Sequence, residues 1–210
     1  IYSGDIKWLR IAHESRNSRA ILETRLDADD GLHTSYLEVI QKEAKARLRC
    51  TDKVYSSSRQ DWMYWCPMNR LEWNPLPAGF SVPEYGMFLP RQSPHVCISA
   101  GLTVGVSVGV NENRILRFPH QSLYQKLGAL QSNSSCGGSK CLHQLSEPML
   151  GAIRSRTLTS AGMRGIVANE AHFASNKKYD VGSNPGIWEL LLKDFHVTQE
   201  GSVKANQYLQ

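Results

Sequence analysis

The chain has 210 residues, and 41% of them are hydrophobic, which suits one folded domain with its own core. The longest apolar run falls short of the roughly 18 to 20 residues that a membrane-spanning helix needs, so we expect no transmembrane segment in this chain. The net charge of +5 comes from scattered lysines and arginines. Because they form no dense basic run, the sequence predicts no nucleic-acid partner, while its charge is compatible with phosphate ligands.

The first predicted element is a strand over Ala20–Leu26, which ends in a cluster of acidic residues. Asp27, Asp29 and Asp30 lie within four consecutive positions and are followed directly by a glycine. The next predicted element is a helix over Ser35–Leu48, where apolar residues recur at helical spacing on one face. The acidic cluster is therefore predicted at a strand-to-helix junction, which is where α/β folds bind ligands.

The middle of the chain reads mainly as strands. Val54–Met68 and Tyr85–Leu89 have strand composition. The run Cys97–Val110 alternates valines with small residues, as a strand does, but its glycines also recur every fourth residue, as on a smooth helix face. For this run we favour a helix that starts after Ser99. Residues 131–147 are rich in serine and glycine and are predicted to form a flexible surface loop.

Side-chain caps are predicted at two helix starts. Ser35 precedes Glu38 by three residues, which is the spacing of a capping box. Near the C-terminus, Asn184 and Pro185 supply an N-cap and a first-turn proline for a second helix. The mixed order of strands and helices favours a single α/β domain over residues 1–210.

The five cysteines of the chain are an odd number, so they cannot all pair with one another. Cys136 and Cys141 bracket a short flexible stretch and can form a disulfide in an oxidising compartment, although two ordinary thiols are the alternative. The glycosylation sequon Asn133-Ser134-Ser135 lies in the same loop. These features point toward the secretory pathway or the Golgi lumen, and a cytoplasmic location stays open.

The acidic cluster suggests a metal site. Three carboxylates this close together raise the cost of ionising one another unless a cation lies among them. Mn²⁺ or Mg²⁺ suits such hard oxygen ligands and typically keeps open positions for substrate phosphates. The alternative without a metal is a solvated turn in which Asp29 or Asp30 helps to begin the following helix.

Two other acidic-loop chemistries fit less well. An EF-hand loop that begins at Asp27 would need a glycine where Leu32 stands, and it would follow a helix rather than a strand. A haloacid dehalogenase type of phosphatase would use Asp27 as its nucleophile. That family also needs a late acidic pair, and the later aspartates of this chain stand singly.

Three segments carry a resemblance to a known family. The strings T-R-L-D-A-D-D-G-L, C-I-S-A-G-L-T and R-S-R-T-L-T-S-A-G-M, in this order, resemble the rhamnosyltransferase-like family of glycosyltransferases over about residues 15 to 200. The resemblance implies a GT-A-like fold, in which a mixed sheet is flanked by helices. It also implies metal-dependent transfer of a sugar from a nucleotide-sugar donor to a glycan or other acceptor hydroxyl.

The resemblance also assigns roles to individual residues. Asp27, Asp29 and Asp30 match the motif that holds the metal and the diphosphate, with Asp29 and Asp30 as the more direct contacts. Arg25 is expected to point toward the donor phosphates, or to be an ordinary charge on the strand surface. The later segment places Ser99, Gly101 and Thr103 on the sugar or acceptor side of the cleft, with tight packing as the alternative for each of them.

A further metal ligand and a catalytic base are expected from distant residues. His120 is the candidate metal ligand because a preceding proline can hold its loop, and His33 is the second candidate. An inverting transferase needs a carboxylate to deprotonate the acceptor hydroxyl. Glu72, Glu84 and Asp61 are unranked candidates for this base, and a solvated surface acid is the alternative for each.

The N-terminal side of the chain departs from the family pattern. A GT-A-like domain normally places its base-binding units before the motif strand, and residues 1–19 are too few to hold them. We therefore expect a domain that lacks part of the N-terminal nucleotide-binding half. A catalytically silent glycosyltransferase-like module that binds a glycan or a protein is the alternative.

Overall fold

The fold contains two four-stranded sheets and four α-helices within the described residues. The computed structural model describes residues 19–50, 59–75, 83–130, 136, 140–156 and 177–208. The strands are β1 (Ile21–Thr24), β2 (Gly31–Leu32), β3 (Trp62–Pro67), β4 (Asn69–Asn74), β5 (Met87–Gln92), β6 (Thr103–Val106), β7 (Leu142–Leu145) and β8 (Ala152–Ser155). The helices are α1 (Tyr36–Arg47), α2 (His120–Leu130), α3 (Pro185–Phe195) and α4 (Gln199–Tyr208). This architecture confirms the α/β prediction.

The first sheet has the strand order β1-β6-β3-β7 and is apolar on both faces. β6 runs antiparallel to β1 and β3, and β7 runs parallel to β3. Trp62 and Tyr64 of β3 pack in a core with Leu123 of α2, whereas Met63 and Trp65 pack in a second core with α1. Burial on both faces explains why β3 is a continuous apolar run rather than an alternating one.

The second sheet has the strand order β2-β8-β4-β5 and two unlike faces. β8 runs parallel to β4, and β4 and β5 form an antiparallel hairpin. Leu71, Phe88 and Ile153 form a core with Leu191 of α3. Because neighbouring side chains of a strand point to opposite faces, the residues that alternate with this core lie on the other face. Arg70 and Glu72 of β4, Arg91 of β5 and Arg154 of β8 lie on that face, beside the buried apolar residues Met87, Leu89 and Ala152.

Both predicted helices are present, but only one has the predicted cap. α1 spans Tyr36–Arg47, and the capping box is wrong because the Ser35 side chain makes no cap hydrogen bond. The Ser35 hydroxyl instead lies 2.9 Å from Nδ1 of His33. At α3, the side chain of Asn184 accepts a hydrogen bond from the Gly186 backbone N–H at 3.0 Å, as predicted.

We expect Asn184→Ala to lower the free energy of unfolding by about 1 kcal/mol, because it removes the acceptor that satisfies an N–H group of the first turn of α3. Urea unfolding followed by circular dichroism measures this change. Asn184→Asp is the matched control, since its carboxylate keeps an acceptor for the same N–H group. A loss in Asn184→Asp equal to that in Asn184→Ala would contradict the assigned cap.

The predictions for the middle of the chain are partly wrong. Cys97–Val110 contains no helix; it turns at Gly101 and continues as β6. A Cβ atom on Gly105 would lie 2.6 Å from Trp65, so this glycine gives room to a core side chain and not to a helix contact. The predicted strand over Val54–Met68 is observed as β3, and its residues 54–58 lie outside the described residues. The strand predicted over Tyr85–Leu89 is observed as β5.

The predicted loop over residues 131–147 is wrong in its second half. Leu142–Leu145 forms β7 and pairs with β3 inside the first sheet. Cys136 and Cys141 are fully buried and joined by a disulfide, which confirms that these two residues can pair. Polar composition concealed this segment because its few apolar residues are the ones that reach the core. The sequon at Asn133 lies outside the described residues.

Candidate functional site

The acidic cluster forms a tight turn directly beyond β1, and we call residues 27–30 the acidic turn. The backbone N–H of Asp30 donates to the carbonyl of Asp27 at 3.1 Å, which closes the turn. Arg25, which lies before the turn, continues the pairing of β1 with the β6 segment, because its backbone N–H donates a hydrogen bond to the Leu102 carbonyl at 2.9 Å. The side chains of Asp27 and Asp29 are exposed, and that of Asp30 is half-buried. The sequence therefore correctly predicted acids at the end of a strand, but the predicted strand-to-helix junction is wrong, because β2 lies between the acids and α1.

The acidic turn contacts the second predicted segment through Ser99. The Ser99 hydroxyl donates to Oδ2 of Asp27 at 2.9 Å, although the two residues are far apart in sequence. Gly101, two residues later, has a φ of +79°, and its N–H donates to the carbonyl of Arg25 at 2.9 Å. A side chain at Gly101 would be strained by this φ. Ser99 thus belongs to the site, whereas Gly101 shapes the turn that presents it.

Thr103 is fully buried, so it does not line an open cleft. Its hydroxyl lies 2.8 Å from the hydroxyl of Thr24 and 3.2 Å from the carbonyl of Gly101. These contacts join the start of β6 to the end of β1. The structure therefore places Thr103 beneath the site, where it holds the two strand ends together.

Asp30 joins the acidic turn to β8. Its Oδ1 accepts a hydrogen bond from the Ser155 backbone N–H at 3.0 Å. Burial raises the pKa of the Asp30 carboxyl to about 6, although the Ser155 hydrogen bond opposes this, and the charges of Asp29 and Asp27 raise it further. A bound cation would favour the ionised form of this carboxyl, because opposite charge lowers an acid's pKa.

The structure brings His120 to the same region. His120 begins α2 and is half-buried. Burial lowers the pKa of its imidazole, as do the positive charges of Arg154 and Arg25, whereas the charge of Asp27 raises it. These interactions place the ring within electrostatic reach of the acidic turn. An imidazole that stays neutral at physiological pH is suited to bind a metal or accept a hydrogen bond.

His33 has a different environment. Its Nδ1 accepts a hydrogen bond from the Ser35 backbone N–H at 3.0 Å. Its Nε2 lies 3.5 Å from Oδ2 of Asp194, and its ring packs edge-on against Phe195 of α3. Both ring nitrogens therefore have protein partners, which favours a structural role at the junction of α1 and α3.

Glu72 lies on the charged face of the second sheet and is surrounded by arginines. Its carboxylate pairs with Arg70 at 3.0 Å, Arg91 at 3.2 Å and Arg156 at 3.2 Å. Burial alone would raise the pKa of Glu72, but the charges of Arg70, Arg156 and Arg91 together lower it. A carboxylate with a lowered pKa is a weak base. Its contacts favour a role in organising arginines, and its role as the base stays a prediction.

The other two candidate bases lie elsewhere. Asp61 precedes β3 and pairs with Arg49 and with Arg114, the latter at 3.6 Å. The register pairs Trp62 with Val106 at one end of β6 and Trp65 with Thr103 at the other, so Asp61 lies at the end of the sheet opposite to the acidic turn. Glu84 is exposed in the turn before β5, and its carbonyl accepts a hydrogen bond from Asn206 of α4.

Sequence reasoning missed Arg154 and Arg156 as site residues. Arg154 pairs in register with Glu72 across β8 and β4, and it interacts electrostatically with Asp30. Burial lowers the pKa of the Arg154 guanidinium, and the like charges of Arg156 and Arg70 add to this effect. A signal was present in the sequence, since Arg70 and Glu72, like Arg154 and Arg156, alternate along a strand. Period-two charge marks one polar sheet face.

The residues of the acidic turn suit a metal by their chemistry rather than by a preformed cage. Within the described ranges, no three His, Cys, Asp or Glu side chains are grouped closely enough to hold an ion. Asp27 is hydrogen-bonded to Ser99, and Asp30 to β8. Carboxylate oxygens on a tight turn are nevertheless the ligands that Mg²⁺ and Mn²⁺ prefer, and substrate phosphates commonly complete the coordination of such ions.

A second disulfide, which the sequence did not reveal, lies beside the site. Cys66 in β3 is bonded to Cys97, two residues before Ser99, with Cα atoms 5.7 Å apart. Both cysteines are fully buried. The bond ties the Ser99 segment to the first sheet, while Cys50 is a free cysteine.

Comparisons of the chain with family models, curated proteins and solved structures find no match. Among the described helices, none combines the length and apolar composition needed to cross a bilayer. The contacts of the site are therefore the basis for a functional assignment.

Proposed function

We propose that this protein is a metal-dependent glycosyltransferase that transfers a sugar from a nucleotide-sugar donor to an acceptor hydroxyl. The observation that carries the proposal is the convergence of three distant segments. Asp27 contacts Ser99, and Asp30 contacts Ser155, although 72 and 125 positions separate the partners. The same three segments carry the resemblance to rhamnosyltransferase-like enzymes. A GT-A-like fold for the domain is part of this proposal.

The proposed roles follow from the positions of the side chains. Asp29 and Asp30 would hold Mn²⁺ or Mg²⁺, which neutralises charge on a diphosphate leaving group when it is bound. Asp27, fixed by Ser99, would support the turn, and His120 would supply a further neutral ligand or hydrogen-bond acceptor. Arg25 is half-buried at the start of the turn, where its charge would attract donor phosphates.

The two disulfides support a proposed location. Structural disulfides persist mainly in oxidising compartments. Cys66–Cys97 and Cys136–Cys141 each join residues that are fully buried. We therefore place the proposed activity in the secretory pathway, as in the Golgi lumen.

We expect a nucleoside diphosphate and Mn²⁺ together to raise the melting temperature, and Asp29→Ala to abolish this rise. A ligand specific for the folded state adds about 2.7 kcal/mol of stability at a hundredfold excess over its dissociation constant. UDP, dTDP and GDP are each measured with and without Mn²⁺. Asp29 is exposed on a turn, so its replacement by alanine should leave the fold intact.

Glu189→Ala is the matched control, because it removes an exposed acid from α3. It should keep the full metal-dependent rise. Unchanged Mn²⁺-dependent binding in Asp29→Ala would contradict the proposed donor site. A wild-type protein that binds none of the three nucleotides would favour the alternative, a silent module that binds a glycan or a protein.

A further inference from the structure

The charged face of the second sheet carries more positive than negative charge. Four arginines of β4, β5 and β8 and their flanks share it with the carboxylate of Glu72, and one of them also interacts electrostatically with Asp30 of the acidic turn. The arginines are Arg70, Arg91, Arg154 and Arg156. Like charges this close repel one another, and burial makes the repulsion more costly.

Glu72 satisfies three of these arginines but not the fourth. Its Oε1 accepts hydrogen bonds from Arg70 at 3.0 Å and from Arg156 at 3.2 Å, and its Oε2 accepts one from Arg91 at 3.2 Å. Within the part of the chain that the structure describes, the guanidinium of Arg154 makes no hydrogen bond or ion pair. None of its side-chain nitrogen atoms is buried without a partner, so the guanidinium keeps contact with solvent, and an oxyanion can reach its N–H groups.

The position of Arg154 indicates which kind of acceptor its guanidinium would bind. Its register partner in β4 is Glu72, and the carboxylate of Asp30 is bound to the next residue of β8, Ser155. Arg154 thus lies between the arginine cluster and the acidic turn. A planar guanidinium binds two oxygens of one oxyanion side by side, and the neighbouring positive charges strengthen this binding.

We propose that Arg154 is the main contact of an oxyanion-binding site, which takes a phosphate, sulfate or carboxylate group of a substrate. Glu72 organises the site by fixing Arg70, Arg91 and Arg156, whose combined charge makes it positive. The proposal implies that a substrate of the proposed function carries a negatively charged group. It rests on the proposed function only for the identity of the molecule that carries this oxyanion. Two sources share this chemistry: the diphosphate of a nucleotide and an acidic sugar of the acceptor.

Calorimetric titration with inorganic pyrophosphate tests the site, in a low-salt buffer with EDTA so that binding at a metal is excluded. Wild-type protein should bind, and Arg154→Gln should bind about 10- to 100-fold more weakly, as expected for the loss of charged hydrogen bonds. Arg114→Gln is the matched control, because Arg114 is an exposed arginine beside Asp61, at the other end of the first sheet. It should bind as wild type does.

Arg154→Met serves as a second variant if Arg154→Gln does not fold, since it keeps the aliphatic stem.

UDP and a uronic-acid disaccharide, titrated under the same conditions, distinguish the two possible sources of the oxyanion. Binding of UDP alone assigns the site to the donor, and binding of the disaccharide alone assigns it to an acidic acceptor. Absence of pyrophosphate binding to wild type, or equal binding to a folded Arg154 variant, overturns the proposal. Neither result depends on Mn²⁺, so failure of the oxyanion site can be told apart from failure of the metal-dependent donor site.

Discussion

Glu72→Gln should lower the free energy of unfolding by about 3 to 5 kcal/mol, the loss typical of a buried ion pair from which one partner is removed. The side chains of Glu72 and Arg70 are only 9% and 11% exposed, so water cannot replace the lost carboxylate charge. Three arginines would remain close together without their common anion. Urea unfolding at pH 7 measures the loss.

Glu200→Ala is the control for this prediction. It breaks the ion pair between Glu200 and Lys204, whose side chains are 77% and 73% exposed. It should lower the free energy of unfolding by less than about 0.5 kcal/mol. If both variants lost the same small amount, the arginine cluster would contribute little to stability.

The loss in Glu72→Gln should also depend on pH. The arginines lower the pKa of Glu72 in the folded protein, against the opposing effect of burial. An acid with a lowered folded pKa stabilises the fold above its unfolded pKa, and this stability is lost as the pH falls through the folded value. The difference between wild type and variant should therefore be largest near neutral pH and shrink below about pH 4. A difference that grew on acidification would contradict the charge assignment.

Removal of the Cys66–Cys97 disulfide should lower the free energy of unfolding by about 3 to 4 kcal/mol, the chain-entropy value for a loop of this length. The bonded residues are 31 positions apart, whereas those of Cys136–Cys141 are 5 apart. The double variant Cys66→Ala/Cys97→Ala leaves no unpaired thiol at this position. It should also weaken Mn²⁺-dependent nucleotide binding, because the bond fixes the segment that carries Ser99.

Cys136→Ala/Cys141→Ala is the matched control, with an expected loss of about 2 kcal/mol from its shorter loop. It should leave nucleotide binding unchanged. Thiol counting on denatured, unreduced protein should find one free thiol, that of Cys50. Five free thiols, or a wild-type stability that a reductant does not change, would refute both bonds.

Local patterns predicted the elements whose formation depends on their own residues. The apolar face of Ser35–Leu48 becomes α1, and Asn184 with Pro185 starts α3, because helical periodicity and capping act over a few residues. The same patterns failed for Cys97–Val110. Its glycines fit a helix face equally well, and the neighbouring Trp65 and Leu48, which require Gly105, are distant in sequence.

The candidate site divides in the same way. By itself, the sequence determined the strand, the three acids beyond it and the composition of an α/β domain, since each of these is encoded within a few adjacent residues. Only the tertiary structure decided that Ser99 and Ser155 contact the acidic turn and that His120 lies within its electrostatic reach. It also decided that Asp61 lies at the other end of the sheet and that Glu72 belongs to an arginine cluster. Strand register and sheet order bring these residues together, and both depend on long-range pairing that no local pattern specifies.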